Sequence, residues 1–500
     1  MIRDIHRFSQ YVYDLLIIGG GINGAAIANL AAGHGLTVAL IEKGDFASGT
    51  SSKTTKLLHG GIRYLENFEF DLVKESLQER IIQMKAAPHL VKPLSFVIPV
   101  YKNDRRPLWM MKFGVTLYDF LGGEHSIGKH RFLNPSEVKG EIPDIETQGL
   151  QGGVTYFDAQ MNDARLCLEN VLMAHERGVH ITNYVEALSF LKENEKVIGI
   201  KAKGLIRNID FEIKAKNIIC ALGPWTNTFS EKNKDELSNK VRTTKGVHIV
   251  YKGNFSKNAV LVTNRDDKRI FFVIPWQGNS LIGTTDTDFK GSPDSVTTEK
   301  EDVAYLLREV KRVFPTVDIK EENIITTFAG LRPLVSAQGS PSKISRKHGI
   351  TRTKDGVFWV AGGKYTTYRV IAMDCLKMIY GRTFPFLEEF MLYGSGLIEE
   401  SSQELARHYG LEEEIVDHLK NTYGTRYSDV LKLTKQDPSW KSRICACSPA
   451  IAAQVVYAIK FEMAFKDEDI IWRRLSLGYL NCPTRQCFKQ IEALRKRFIK

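Results

Sequence analysis

Residues 13–42 read YDLLIIGGGINGAAIANLAAGHGLTVALIE, and this stretch decides the fold. It divides into an apolar strand, a glycine turn, a helix of small residues and a second apolar strand that ends at Glu42. Gly19 would make the tight turn, Gly21 would let the backbone approach a pyrophosphate, and Gly24 would let the helix pack closely on the strand. The stretch therefore predicts a βαβ unit that binds a dinucleotide. The other turn residues expected to contact that ligand are Gly20 and Asn23.

Two features of this unit favour a nucleotide site over a flexible loop. The helix that follows Gly21 has a partial positive charge at its N-terminus, which suits a pyrophosphate. Glu42 ends the second strand, where its carboxylate can accept hydrogen bonds from ribose hydroxyls. The strand, the turn, the helix, the second strand and the acidic residue follow one another in the order and spacing of a nucleotide-binding unit, which a chance glycine cluster does not explain.

The segments that follow favour FAD over NAD as the dinucleotide. Residues 44–55 read GDFASGTSSKTT, a glycine- and hydroxyl-rich loop of the kind that lines flavin phosphates, although a solvated turn has a similar composition. Two later strands, within 217–225 and 357–368, run into Gly223 and Gly363, which indicates that the chain returns to the cofactor. The loop residues expected to contact the cofactor are Thr50, Ser51, Ser52 and Thr55.

The bulk composition sets the class of protein. The chain has 500 residues, 43% hydrophobic and 25% charged, which is enough for two or three globular domains. No apolar run reaches the roughly 18 residues of a membrane-spanning helix, and the first strand begins too near Met1 for a signal peptide, so we expect a cytoplasmic protein. The net charge of +11 favours anionic partners such as phosphates or an acidic membrane face. Zinc-finger and RNP-like spacings are missing, so nucleic acid is not expected as a partner.

Six blocks carry more specific information than the nucleotide unit. They read SSKTTKLLHGGIRYLENFEF (51–70), KGVHIV (245–250), DKRIFFVIPW (267–276), IGTTDTD (282–288), GLRPL (330–334) and GGKYTTYR (362–369). Together they resemble the aerobic-type, FAD-dependent glycerol-3-phosphate dehydrogenase family, and the resemblance covers most of the chain from Tyr13 to Arg369. It implies oxidation of sn-glycerol 3-phosphate to dihydroxyacetone phosphate by hydride transfer to FAD, with the electrons passed to a quinone or another acceptor. The alternatives are an oxidase that uses oxygen, a dehydrogenase for another small anionic alcohol or amine, and a flavin redox-sensing module without turnover.

The same resemblance suggests which side chains act on the substrate. A phosphorylated alcohol needs cationic donors, and an arginine fork or a lysine ammonium beside the cofactor also stabilises alkoxide charge. A base must take the hydroxyl proton, and histidine does this near neutral pH. His59 and His248 are the two candidates for the base, and the sequence does not decide between them. The full set of candidate catalytic residues is His59, Arg63, Tyr64, His248, Arg332, Arg346 and Lys364.

The predicted fold class is α/β, with a discontinuous Rossmann-like FAD-binding domain, an inserted antiparallel-sheet substrate domain and an all-helical C-terminal domain. The insertions between segments that return to the nucleotide fold should form the substrate-facing sheet. The expected boundaries are 1–91, 152–241 and 326–383 for the FAD-binding domain, 92–151 and 242–325 for the substrate domain, and 387–500 for the helical domain.

One segment of the first insertion raises the question of membrane contact. Residues 105–123 read RRPLWMMKFGVTLYDFLGG, which fits either an amphipathic helix in a membrane interface or a packed core helix. Bacterial members of the resembling family are peripheral membrane enzymes, which implies contact with the cytoplasmic face of the inner membrane. The interface hypothesis fails if apolar and basic faces do not segregate. A homodimer is also compatible with the sequence.

The C-terminal region contains four of the seven cysteines. Cys445 and Cys447 form a C-x-C pair, and Cys482 and Cys487 form a C-x4-C pair. Paired thiolates are ligands for zinc or for an iron–sulfur cluster. This segment also resembles the ferredoxin-like [2Fe-2S] domain of some members of the enzyme group, which implies a second redox centre. It departs from that domain after Cys447, where a Ser-Pro pair replaces the usual acidic residue, and four inert thiols are the alternative.

Overall fold

The computed structural model describes residues 1–234, 237, 241–264, 269–335, 348–386, 391–482 and 486–499. Within these ranges the chain forms two large β-sheets, helices that cover them, and a helical C-terminal region. The strands are β1 (Val12–Ile18), β2 (Val38–Glu42), β3 (Leu57–Leu58), β4 (Val91–Tyr101), β5 (Arg131–Leu133), β6 (Leu150–Met161), β7 (His180–Asn183), β8 (Val185–Glu193), β9 (Lys196–Gly204), β10 (Ile209–Cys220), β11 (Val241–Tyr251), β12 (Ala259–Thr263), β13 (Ile270–Trp276), β14 (Asn279–Gly283), β15 (Thr287–Asp288), β16 (Ile324–Val335), β17 (His348–Arg352), β18 (Phe358–Gly362), β19 (Arg443–Cys445) and β20 (Ser448–Ile451). The helices are α1 (Ile22–Gly33), α2 (Phe70–Ala86), α3 (Leu108–Gly122), α4 (Pro135–Glu141), α5 (Asp163–Glu176), α6 (Thr226–Lys232), α7 (Lys300–Val313), α8 (Tyr368–Tyr380), α9 (Ser402–Tyr409), α10 (Glu413–Tyr423), α11 (Tyr427–Gln436), α12 (Ala452–Phe461) and α13 (Gln486–Phe498).

The first sheet is built around the nucleotide-binding stretch. Its strand order is β17-β18-β10-β1-β2-β7, and β9 pairs with β10 while β8 pairs with β9. The central strands β10, β1, β2 and β7 are parallel. They are apolar on both faces because α1, α5 and α8 cover one side and the β8–β9 hairpin covers part of the other. The predicted Rossmann-like unit is confirmed, and its carboxyl edge lies where β1 and β2 end.

The second sheet is the inserted, largely antiparallel one. Its strand order is β15-β11-β14-β13-β12-β4-β6-β3, with β16 beside β11 and β5 beside β6. Neighbouring strands are antiparallel except β4 and β12, which are parallel. Helix α7 packs on one face, and α2 and α3 pack on the other, so both faces bury apolar side chains. The predicted class, a Rossmann-like domain with an inserted antiparallel sheet, is confirmed.

Three segments lie in the second sheet, although the expected boundaries put them in the FAD-binding domain, and the shortest is β3, which pairs with β6. Residues 152–161 belong to β6, which pairs with β4 along almost its whole length. Residues 326–335 belong to β16, which pairs with β11. The pairing partners of β6 and β16 are remote in sequence. Local patterns therefore could not place these boundaries.

The described residues of the C-terminal region are helical, as predicted, apart from one two-stranded hairpin. Helices α9 to α12 form one apolar core, and the hairpin β19–β20 joins α12 and α13 in another. Cys445 pairs with Ser448 at the tip of the hairpin. The expected domain start at residue 387 lies outside the described residues.

Candidate active site

The glycine turn leaves no room for side chains at two of its positions. Gly19 has φ of +116°, and a Cβ there would lie 2.5 Å from the carbonyl oxygen of Ala221. A Cβ on Gly24 would overlap the carbonyl oxygen of Gly19, because α1 packs directly against the end of β1. The N–H of Ile22 donates to Ser51 Oγ at 2.9 Å, so the hydroxyl-rich loop is fastened to the start of α1.

Glu42 ties the glycine turn to the next loop. Its carboxylate accepts the N–H of Gly20 at 2.6 Å and the N–H of Gly44 at 2.7 Å. Burial raises the pKa of Glu42, and the two backbone hydrogen bonds oppose that change. The carboxyl group therefore lies at the mouth of the crevice between β1 and β2, where the sequence predicted a ribose contact.

A cavity of about 710 Å³ opens at this carboxyl edge. This volume is within the range of roughly 300–1,000 Å³ that is typical of ligand pockets. The predicted contacts that line it are Gly19, Gly21, Asn23, Glu42, Thr50, Ser51, Gly223 and Gly363. Ser52 and Thr55 do not line it. The Ser52 carbonyl accepts a hydrogen bond from the Lys56 ammonium at 2.7 Å, and the Thr55 hydroxyl contacts His248.

Lys364 is the catalytic candidate that lines the cavity. The side chain is 8% exposed, and its Nζ lies 3.9 Å from the centroid of the Tyr64 ring and 3.2 Å from Ser76 Oγ. His59 is anchored nearby, because its N–H donates to Thr366 Oγ1 at 3.2 Å and its carbonyl accepts the Thr366 hydroxyl at 3.3 Å. Lys364, Tyr64 and the His59 backbone thus form one group at the end of β3.

His248 and Arg332 belong to a second group, on the paired strands β11 and β16. His248 is 2% exposed, its Nε2 lies 3.0 Å from Thr55 Oγ1, and its ring stacks on Phe328. Burial lowers the pKa of His248 well below its ordinary value, and the charges of Arg332 and Lys56 lower it further. The imidazole is therefore neutral, and its buried Nδ1 has no hydrogen-bond partner in the described part of the chain.

The guanidinium of Arg332 lies over Gly246, where a Cβ would overlap it. Its nitrogens donate to Thr284 Oγ1 at 2.8 Å and to Asp286 at 3.2 Å. The side chain is 25% exposed, so part of the fork faces solvent. The last cationic candidate, Arg346, lies outside the described residues.

Comparison with known proteins agrees with this geometry. The chain matches the model of the FAD dependent oxidoreductase family over residues 14–368 and that of the C-terminal domain of alpha-glycerophosphate oxidase over residues 388–494. A glycerol-3-phosphate dehydrogenase of Synechocystis sp. is 37% identical over 502 aligned residues, covering 95% of this chain and 91% of that protein. The chain belongs to the FAD-dependent glycerol-3-phosphate dehydrogenase family.

Further relatives support this assignment. The aerobic glycerol-3-phosphate dehydrogenase of Staphylococcus aureus is 34% identical, covering 94% of this chain and 87% of that protein. The glycerol-3-phosphate dehydrogenase from Bacillus halodurans, solved in complex with FAD, has a TM-score of 0.82 and 28% identity, covering 99% of this chain and 92% of that one. Glycine oxidase from Geobacillus kaustophilus, at 19% identity and a TM-score of 0.59, covers 77% of this chain and 99% of that one, and it shares the fold alone. The prediction of FAD rather than NAD is confirmed.

This glycerol-3-phosphate dehydrogenase family member also has two buried ion pairs beside the site that sequence reasoning did not select. Lys56 Nζ lies 2.7 Å from Asp163, and Arg369 lies 3.0 Å from Glu79. Burial raises the pKa of Glu79 to about 7, against the opposing charge of Arg369. Lys56 and Arg369 lie in the blocks SSKTTK and GGKYTTYR, so the cations were visible in the sequence. Their partners were not, because each is more than a hundred residues away.

Helix α3 exposes one aromatic face. Trp109, Phe113 and Phe120 are 69%, 65% and 79% exposed, and their spacing puts them on one side of the helix. Val115 and Tyr118 lie on the opposite side and are buried in the core of the second sheet. These aromatic side chains thus lie exposed on the side of α3 that faces away from the core, whereas a fully packed core helix would bury them. Among the described residues, no helix combines the length and apolarity needed to cross a membrane.

A second cavity of about 400 Å³ lies beside α3. Its lining is mostly apolar and includes Phe68, Met110 and Leu117. Arg63 and Arg105 also line it, and Arg63 is not among the residues that line the first cavity. The Arg63 guanidinium nevertheless lies 6.0 Å from the centroid of the Tyr64 ring that Lys364 contacts at 3.9 Å, so the two cations are near one another although they line different cavities.

The four C-terminal cysteines come together in space. Their sulfur atoms all lie within 4.8 Å of one another, with Cys445 and Cys487 buried and Cys447 and Cys482 half-buried. The site lies in the region that matches the C-terminal domain of alpha-glycerophosphate oxidase. The geometry therefore supports a shared ligand for the four thiols.

Proposed function

We propose that the chain oxidises sn-glycerol 3-phosphate to dihydroxyacetone phosphate. The observation that carries the proposal is the placement of Lys364 in the wall of the nucleotide cavity, in a family whose relatives are glycerol-3-phosphate dehydrogenases. FAD, when bound, supplies the hydride acceptor. The residues of the chain must then hold the phosphate and take the hydroxyl proton.

His59 is the better candidate for the base. A general base works best when its pKa lies near the operating pH. His248 has a pKa held well below its ordinary value by burial, so it binds a proton poorly. Because the His59 backbone is hydrogen-bonded to Thr366, two residues after Lys364 of the cavity wall, we assign the proton to His59. We assign a positioning role to His248, whose ring packs on Phe328 and contacts Thr55.

Arg332 and Lys364 are assigned to the anionic parts of the substrate. An arginine fork binds a phosphate through two parallel hydrogen bonds, and a lysine acts as a point charge. Arg332 keeps part of its guanidinium at the surface, which suits a ligand that arrives from solvent. Lys364 is buried beside the cavity, which suits stabilisation of negative charge on the reacting oxygen.

Anaerobic mixing of the flavin-loaded protein with sn-glycerol 3-phosphate tests the activity. Loss of the oxidised flavin absorbance is expected, and glycerol, which lacks the phosphate, should leave the spectrum unchanged. An unchanged spectrum with the phosphorylated substrate would overturn the proposal. Repeating the reaction in air with a peroxide assay separates dehydrogenase from oxidase, an alternative kept open by the match of 388–494 to an oxidase domain.

The proposed acceptor is a membrane quinone, and α3 is the proposed contact with the bilayer. Exposed tryptophan and phenylalanine side chains enter the lipid headgroup region favourably, and the arginines at the cavity rim suit anionic lipids. The apolar cavity beside α3 has the character of a quinone site. A peripheral position on the cytoplasmic face of the inner membrane completes this proposal.

Sedimentation with anionic phospholipid vesicles tests the membrane contact. A variant with Trp109→Ser, Phe113→Ser and Phe120→Ser should stay in the supernatant and keep its turnover with a water-soluble electron acceptor. Leu397→Ser is the control, because this side chain is 89% exposed in the C-terminal region. If the triple variant sediments as the wild type does, α3 is not the contact.

A further inference from the structure

The four cysteines of the C-terminal region form a group of neighbouring thiols that has no role in the proposed oxidation. The sulfurs of Cys445 and Cys447 are 2.8 Å apart, and those of Cys482 and Cys487 are 3.5 Å apart. The two pairs also contact each other, because Cys447 is within hydrogen-bonding range of Cys482 and Cys445 of Cys487. All four thiols therefore converge on one point.

Two separate elements bring the thiols together. Cys445 and Cys447 lie at the tip of the β19–β20 hairpin. Cys487 lies in the first turn of α13, and Cys482 precedes that helix. Apolar side chains surround the buried sulfurs, so the thiols are not scattered over a solvated surface. Any shared ligand would join the hairpin to α13.

The sulfur spacing distinguishes between the two kinds of metal centre. In a tetrahedral zinc site the Zn–S bonds of about 2.3 Å place every pair of sulfurs about 3.8 Å apart. In a [2Fe-2S] cluster the sulfurs on different irons are about 5 Å or more apart, because bridging sulfides separate the irons. Here no pair among the four sulfurs is more than 4.8 Å apart. The two short pairs, at 2.8 and 3.5 Å, would have to open to about 3.8 Å around a single ion, which is a smaller change than the binuclear cluster would need across the whole group.

We propose that Cys445, Cys447, Cys482 and Cys487 bind one zinc-class divalent ion in a closed tetrahedral site. Binding releases the four thiol protons and forms four metal–sulfur bonds, with no change of oxidation state. Four protein ligands leave no open position, so the site is structural rather than catalytic. It fastens the hairpin to α13 and gives the flavin electrons no second redox centre.

Metal analysis of the full-length, flavin-loaded protein, purified anaerobically, tests the site. The expected result is one zinc per chain without iron or acid-labile sulfide. Two irons and two sulfides per chain would overturn the proposal in favour of the binuclear cluster. Protein without metal, in which alkylation under native conditions modifies all four thiols or finds them in disulfides, would overturn it in favour of inert cysteines.

Two further measurements do not depend on how well a variant folds. Exchange of the native ion for Co²⁺ in the wild type should add the visible bands of a tetrahedral cobalt thiolate to the flavin spectrum, and their absence counts against the site. Cys482→Ser should lose the metal and lower the unfolding temperature while keeping the flavin. Cys375→Ala, a buried cysteine of α8, is the matched control and should keep both metal and flavin. Equal metal loss in both variants would contradict the assignment.

Discussion

At the scale of single residues, the nucleotide turn depends on glycines, which have no Cβ atom. Gly19 and Gly24 approach backbone carbonyls so closely that any side chain would displace β1 or α1. The requirement at Gly24 could be predicted from the sequence, because its neighbour Gly19 lies in the same turn, whereas the carbonyl that Gly19 approaches belongs to the distant Ala221. The environment of His248 could not be predicted, since its burial depends on Phe328 and Thr55, which come from two other segments.

Arg332→Ala should separate substrate use from cofactor binding. The fork contacts Thr284 and Asp286, whereas the residues that fasten the nucleotide turn lie elsewhere. We expect kcat/KM for sn-glycerol 3-phosphate to fall on the order of 100-fold, with unchanged flavin content. Arg242→Ala, on the same sheet in an exposed pair with Asp288, is the control and should keep its activity. Equal loss of flavin and turnover would mean that Arg332 is structural.

His418 should make the C-terminal region sensitive to acid. Burial lowers its pKa to about 4, from an ordinary value near 6.5 in the unfolded chain. Between these values the unfolded chain binds more protons, so stability is full above about pH 6.5 and falls towards pH 4, by at most about 3 kcal/mol. His418→Gln should flatten this part of the curve of unfolding free energy against pH. Denaturant titrations at several pH values measure this curve. If the unfolding free energy of the variant changes with pH as much as that of the wild type does, the assignment to His418 is wrong.

At the scale of elements, an ion pair joins β11 to the start of α7. Lys245 is 5% exposed and lies 2.8 Å from Asp302 and 2.9 Å from Glu299, the two residues that cap the helix. Lys245 belongs to the block KGVHIV, which carries part of the family resemblance and the catalytic candidate His248. A residue in such a block can therefore serve the packing of the substrate sheet rather than the reaction.

Lys245→Ala should destabilise the second sheet without removing a substrate contact. Loss of one partner leaves the buried Asp302 carboxylate uncompensated, which costs about 3 kcal/mol. Lys320→Ala removes an exposed pair with Asp318 and should change the unfolding midpoint little. Thermal unfolding and kcat at a permissive temperature measure the two effects. Wild-type stability in the Lys245 variant would show that the capping groups are satisfied without it.

At the scale of the whole molecule, a buried charge network joins the C-terminal region to the nucleotide loop. Asp45 lies three residues after Glu42 and is 1% exposed. Its carboxylate accepts hydrogen bonds from Arg474 at 2.8 Å and from Arg473 at 2.6 Å. Arg473 also bonds Asp469, whose carboxylate accepts the Tyr184 hydroxyl. The helical region therefore helps to hold the loop that borders the cofactor cavity.

Asp45→Asn should loosen both ends of this network. The two arginines would lose a buried counter-charge, so we expect destabilisation of about 3–5 kcal/mol and weaker flavin retention. Limited proteolysis and flavin release during dialysis would report the two effects. Glu413→Gln, at an exposed carboxylate in the same C-terminal region, should behave as the wild type. Full flavin retention with lowered stability would confine the network to a packing role.

The sequence by itself determined the nucleotide unit, the cofactor and the family. Strand, turn, helix and Glu42 are contiguous within thirty residues, and their sterics and periodicity are local. Only the tertiary structure decided which distant candidates share a site. It put Lys364 in the wall of the cofactor cavity, buried His248 with a lowered pKa, and brought four sulfurs within 4.8 Å of one another. These relations depend on strand pairing and burial between segments remote in sequence, which no local pattern encodes.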